Sequence, residues 1–199
     1  MANVDAAFGY RPIGKVGSGV NNAGTTLYTI GDNYATSIFK GDHVMQASGL
    51  VIAGTASGAT NLGVFNGCFY IDPTSKKPTW SNYYSQVNVT ASGSISGGTT
   101  IDAYIYDDPF TLFEAQCDGT IAKTDIGKNT DSVLGTSSTV NGLSKTEIDS
   151  GSEATTAGLQ VKIIGITKDP ENDDASSANA NWYVMFNEHV KLGTGVTGT

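Results

Sequence analysis

Two histidines, two cysteines and two acidic clusters are the side chains from which this chain could assemble a reactive site. General acid–base or nucleophilic catalysis needs several such groups converging with tuned acidity. His43 lies in the run His43-Val44-Met45-Gln46-Ala47 and His189 in Trp182 to Val190, both of strand character. A hydrogen-bonded packing histidine is the expectation at each. Glu188 and His189 are adjacent, and neighbours on a strand point to opposite faces, so they form no dyad. Cys68 and Cys117 sit in apolar runs and read as small buried hydrophobes, with their pairing left open by spacing alone. Asp107-Asp108, and Asp169 with Glu171, Asp173 and Asp174, offer oxygen ligands, but the second group lacks the central glycine and closing glutamate of an EF-hand loop. Gly17-Ser18-Gly19 lacks the spacing and the preceding strand of a nucleophile elbow. Gly127-Lys128-Asn129 lacks the hydroxyl residue and upstream glycine of a phosphate loop. The expectation is a protein that is not an enzyme and has no catalytic residues, no metal and no cofactor.

Four aromatics, Trp80, Tyr83, Tyr84 and Trp182, would stack on sugars if a β scaffold left them exposed. Buried packing is the expectation, with carbohydrate recognition as the alternative function.

The elements that must position these groups read as short strands. Charged residues are 15% of the chain against about 25% in an average soluble protein, and glycine, serine, threonine and asparagine fill the difference. That mixture disfavours helices. Strands are expected at 26–30, 43–47, 50–53, 62–65, 68–71, 99–106, 110–117, 159–166 and 182–190, the last being the longest of these, and 80–89 adds a stretch anchored by Trp80, Tyr83, Tyr84 and Val87. Ser48-Gly49 and Asn66-Gly67 read as two-residue hairpin turns. Residues 118–158 read as loop, with one short helix signalled by the capping-box pattern Ser144-Lys145-Thr146-Glu147. Within residues 1–25 the anchors Phe8, Tyr10, Pro12 and Ile13 lie among small residues without periodicity, which reads as a frayed terminus or an extended arm. The fold class is mainly β: small β-barrel or sandwich subdomains with long loops, an extended N-terminal arm over 1–25, and little helix. The β-rich part, 26–199, divides into two packed subdomains at about 26–95 and 96–199.

The net charge of −8 argues against nucleic acid as a partner, since phosphate backbones repel it. No apolar run is long enough to span a bilayer, and the N-terminus lacks the basic-then-apolar order of a secretion signal. Assembly in a cytoplasm is expected, with no membrane partner.

Several segments carry a resemblance: Phe8-Gly9-Tyr10-Arg11-Pro12; Gly41-Asp42-His43-Val44 with Leu62-Gly63-Val64-Phe65-Asn66-Gly67-Cys68; Tyr106-Asp107-Asp108-Pro109 with Phe113-Glu114-Ala115-Gln116; and Phe186-Asn187-Glu188-His189. In these the chain resembles the head decoration, or cement, proteins of tailed bacteriophages. The resemblance implies a structural virion protein on the outer capsid surface, a homotrimer bound to the major capsid protein. The residues assigned to the coat contact are Phe8, Tyr10, Arg11 and Pro12. A tail or fibre component with a carbohydrate-binding β module is the alternative.

Overall fold

The computed structural model describes residues 3–17, 20, 24–31, 34–58, 60–72, 75–86, 101–193 and 195–199. The elements bounded within these residues are β-strands and a 3-10 turn, Lys123–Asp125. Val87 to Val89 of the stretch after Trp80, the expected strand positions Thr99-Thr100, and Ser18-Gly19 of the glycine run, lie outside these residues.

The chain enters through β1 (Arg11–Lys15), which belongs to a sheet completed only by downstream strands. A barrel forms first, from β2 (Thr26–Ile30), β4 (His43–Ala47), β5 (Leu50–Ala53), β6 (Gly63–Ile71) and β9 (Ile101–Tyr106). They pair in the order β4-β5-β2-β9-β6, and β6 pairs back to β4 to close the ring. Closure removes the open edges that such short strands would otherwise present. Strand β9 shows the logic plainly: Ile101, Ala103 and Ile105 are buried inward while Asp102, Tyr104 and Tyr106 alternate outward. Ser48 and Gly49 both adopt positive φ, 50° and 84°, and join β4 to β5 as the hairpin expected of that dipeptide. A ribbon of β3 (Ile38–Phe39) and β8 (Tyr83–Tyr84) lies beside the barrel, and β7 (Pro78–Ser81) extends β6.

Asn66-Gly67 is not a hairpin. Residues 63–71 run as one nine-residue strand, the longest described, with a bulge between Phe65 and Gly67 opposite β9. The reason is geometric. One edge of β6 must serve β4 at Gly63-Val64 and β7 at Cys68 to Ile71, and a bulge bends the strand between these two tasks.

The second unit is the antiparallel sheet β1-β10-β15-β14-β11, using β10 (Thr111–Gln116), β11 (Asn129–Thr130), β14 (Val161–Ile166) and β15 (Asn181–Phe186). Phe113, Ala115, Val161, Ile163, Trp182 and Val184 form its core. A small ribbon, β12 (Ser132–Val133) with β13 (Glu147–Ile148), adds Ile148. Strand β15 stops at Phe186, short of the expected end. There the Asn187 amide donates to the carbonyls of Ala157 and Leu159 at 2.7 and 3.0 Å and draws the chain out of the sheet.

The signalled helix at Ser144 is absent. Ser144 is buried, its Oγ accepts the Thr146 N–H at 3.0 Å, and Glu147 pairs with Val133 in the ribbon. Four residues of cap pattern without an apolar i, i+4 stripe behind them have no face to bury as a helix.

Strand β9 is the last in the chain to join the barrel and β10 the next to join the sheet of β1, with Asp107-Asp108-Pro109 between them. Asp107 accepts from Thr26 Oγ1 at 2.7 Å and Tyr28 OH at 2.6 Å on the barrel, and from Lys191 Nζ at 2.5 Å on the C-terminal segment. Asp108 takes Lys15 Nζ of β1 at 2.6 Å. Cys68 and Cys117 are both buried, unpaired thiols, one in each core.

Candidate functional site: a cleft beneath the N-terminal segment

The described N-terminal residues are extended but tied down along their length. Asn3 Nδ2 donates to the carbonyls of Asp174 and Ala178 at 2.9 and 2.8 Å, and the Ala6 N–H donates to Gln116 Oε1 at 2.9 Å. Gly9 has φ 76°, and a Cβ there would fall 2.6 Å from Gly41 O, so only glycine lets the segment lie this close to the barrel. Tyr10 is 2% exposed. Its ring packs against His43, Phe113 and Phe186, and its hydroxyl shares a 2.7 Å hydrogen bond with Ser132 Oγ. Burial raises the phenol's pKa well above its ordinary value. Tyr10 is therefore a core residue of this chain.

Its neighbours face outward. Arg11 pairs with Glu114 across β1 and β10 at 3.3 Å and holds its guanidinium 4.2 Å above the Phe8 ring. Phe8, Tyr10, Arg11 and Pro12 thus come together along one wall of a cleft of about 110 Å³ between barrel and sheet. Val64, Phe65 and Tyr106 of the barrel supply apolar lining, Leu143 closes one side, and Lys40 stands with Arg11 at the rim. The lining is apolar with a cationic lip, suited to holding an aliphatic group. Lys40 and Leu143 carry no local pattern that marks them. They arrive because the Lys40 N–H donates to Gly142 O at 3.0 Å and the Ser144 N–H to Lys40 O at 2.9 Å.

The reactive types are spent on the fold. His43 is buried, shares a 2.9 Å hydrogen bond through Nε2 with Thr55 O, and leaves Nδ1 buried without a partner. Burial lowers its pKa to about 4. Among the described residues neither ring nitrogen of His43 is hydrogen-bonded to a hydroxyl or thiol. Asp42 itself accepts the Phe39 N–H at 2.8 Å and Thr146 Oγ1 at 3.3 Å, with its pKa raised by burial. His189 Nδ1 accepts the Lys191 N–H at 3.1 Å.

Asp169 accepts the Glu171 N–H at 3.1 Å and Asn181 Nδ2 at 3.3 Å. Asp174 accepts from Ser176 Oγ, the Ser176 N–H and Ser177 Oγ, which together hold its carboxyl at about 2. Among the described residues no three His, Cys, Asp or Glu side chains are grouped to hold a metal ion. No helix among them is long and apolar enough to cross a membrane.

Of the four aromatics, Trp182 and Tyr84 are fully buried and Tyr83 stacks on Phe39 with ring centroids 5.3 Å apart. Trp80 is 49% exposed, with Tyr104 at 5.0 Å and its benzo edge over Gly67, where a Cβ would come within 2.6 Å of the indole.

Compared with protein-family models, with curated proteins and with solved structures, the chain matches none.

Proposed function

We propose that this chain is a structural virion protein, a head decoration protein that binds the outer face of a tailed phage's coat lattice and self-associates as a trimer. One observation carries the protein-packing part of this reading. Asp107 and Asp108 tie the barrel to β1 and the C-terminal segment, whereas exposed apolar side chains and a cleft lie around the N-terminal segment. The assignment to a phage head rests on the sequence resemblance of Phe8 to Pro12 and the segments named with it.

Strand β1 is the terminal strand of its sheet, and Ile13, Val16 and Phe110 are exposed on or beside it. Pro12 and the bulge between Pro12 and Gly14 prevent a partner strand from adding along the whole edge. The coat contact is therefore made by side chains of this rim, Arg11 and Pro12 included. A clamp of this kind needs about 1,500 Å² of buried surface per copy, and repetition over the shell multiplies its effect.

Quantitative mass spectrometry of purified particles tests the reading. One copy per coat subunit, or a simple fraction repeated over the shell, is expected. A handful of copies per particle, or none, would overturn it. Trp80 favours a second reading, a sugar-stacking β module; binding on a glycan array that is lost in Trp80→Ala would establish it.

A further inference from the structure

The described surface presents a knob as well as a hole. Val140 is 97% exposed, the most exposed large hydrophobic side chain described, and it sits at the tip of an ordered turn. The Gly142 N–H donates to Ser138 O at 2.9 Å, the Ser138 N–H to Leu143 O at 3.1 Å, and the Leu143 N–H to Asn141 Oδ1 at 3.1 Å. Gly142 has φ 71° and packs against Tyr83, so the turn is fixed to the ribbon beside the barrel. An isolated valine held out on a rigid tip exposes apolar area with little conformational entropy left to lose on docking.

We propose that Val140 of one copy inserts into the N-terminal cleft of a neighbouring copy and closes a small symmetric oligomer. The size fits. A dry apolar cavity of about 150 Å³ holds a benzene, so the 110 Å³ cleft suits a smaller branched aliphatic group. The chemistry fits as well: the tip Ser137-Ser138-Thr139-Val140-Asn141-Gly142 carries no charge to desolvate beside Arg11 and Lys40. Placement favours closure. Leu143 lines the cleft and Gly142 O binds the Lys40 N–H, so knob and hole are neighbours on the molecule. Complementary patches that adjoin can engage reciprocally across one two-fold axis, or close a small ring where the rotation between copies permits. The proposal rests on the self-associating part of the proposed function and is independent of the coat.

Sedimentation equilibrium of the full chain across the micromolar range is the test. A dimer or trimer is expected. Val140→Ala removes two methyl groups and weakens association about tenfold. Val140→Lys, which sets a cation against Arg11 and Lys40, leaves monomer, as does Leu143→Trp, which fills the cleft from the other side. Thermal melts of the variants, unchanged at these exposed positions, exclude unfolding as the cause. A monomeric wild-type chain, or an oligomer indifferent to all three changes, would overturn the proposal. If the monomeric chain still occupies particles in shell-wide copy number, the decoration reading survives and the cleft belongs to the coat.

Discussion

At the scale of single residues, the titratable groups act on stability through pH, and two of them act in opposite directions. His43 titrates at about 4 in the folded chain against 6.5 when exposed, because burial disfavours its cation. Its stabilising contribution is present above pH 6.5 and is lost as pH falls toward 4, by about 3 kcal/mol. Glu147 is raised to about 7, first by burial and then by Asp5 and Asp118. Its carboxyl is protonated in both states below about 4.5, and stability is lost as pH rises from there to 7. With the side chain partly open to solvent, about 1 kcal/mol is expected. Urea titrations at pH 5 and pH 7 separate the two. Glu147→Gln should stabilise at pH 7 and do nothing near pH 4, and His43→Gln should flatten the acid limb. A His43→Gln chain as acid-sensitive as the wild type would refute the assignment. The sequence showed His43 as a packing histidine inside a strand, but neither its ring partner Tyr10 nor the acidic company of Glu147, since Asp5 and Asp118 are distant in the chain.

At the scale of elements, β6 is the most constrained strand described. Gly63 and Gly67 have φ near 155°, a region essentially reserved for glycine, and a Cβ at Gly63 would lie 2.2 Å from Tyr106 O. Gly63→Ala should cost about 3 kcal/mol or more, because the obstacle is backbone. Gly67→Ala should cost less, about 2 kcal/mol, since its tightest obstacle is the Trp80 indole, which can shift, and the Ser81 carbonyl stands 2.8 Å from the Cβ against 2.2 Å for Tyr106 O at Gly63. Chemical denaturation gives both values; equal and small losses would mean that the bulge relaxes freely. These glycines also explain what the sequence did and did not make legible. Ser48-Gly49 and Asn66-Gly67 look alike between apolar runs, yet one dipeptide turns the chain and the other bends a continuous strand. The difference lies in the partners β4, β7 and β9, which no local pattern contains. Strand β9 was readable because one of its faces is buried and its alternation is intact. Strand β1 was not, because Pro12, a bulge and Gly14 erase its period. The cleft was half legible: Phe8 to Pro12 stood out as anchors, while the barrel residues opposite them are joined only by folding.

At the scale of the whole molecule, two cores share one chain and each is reported by one tryptophan. Trp182 is buried in the sheet core and Trp80 lies on the barrel. The reading of 1–25 as an extended coat-binding arm predicts a truncation that spares the fold; the packing of Tyr10 and β1 predicts one that weakens it. Deleting residues 1–14 removes Tyr10, whose loss alone costs about 3–5 kcal/mol, together with most of β1. Such a chain should unfold in two steps, the sheet at lower urea than the barrel, seen as an early change in Trp182 fluorescence isolated in a Trp80→Phe background. A single unshifted transition would show that the segment adds nothing to the sheet.

The same stitching of first residues to last bears on how the protein is made. Strand β1 pairs with β10, and Asn3 reaches the carbonyls of Asp174, Ser177 and Ala178, contacts separated by 171 to 175 positions. On a ribosome the barrel strands emerge early and can close among themselves. The opening residues, already outside the exit tunnel, have no docking place until the final strands follow them. Completion of the sheet therefore waits until β14 and β15 have emerged, and until then the nascent chain carries Phe8 and Tyr10 uncovered, where a chaperone or a neighbouring nascent copy can reach them first.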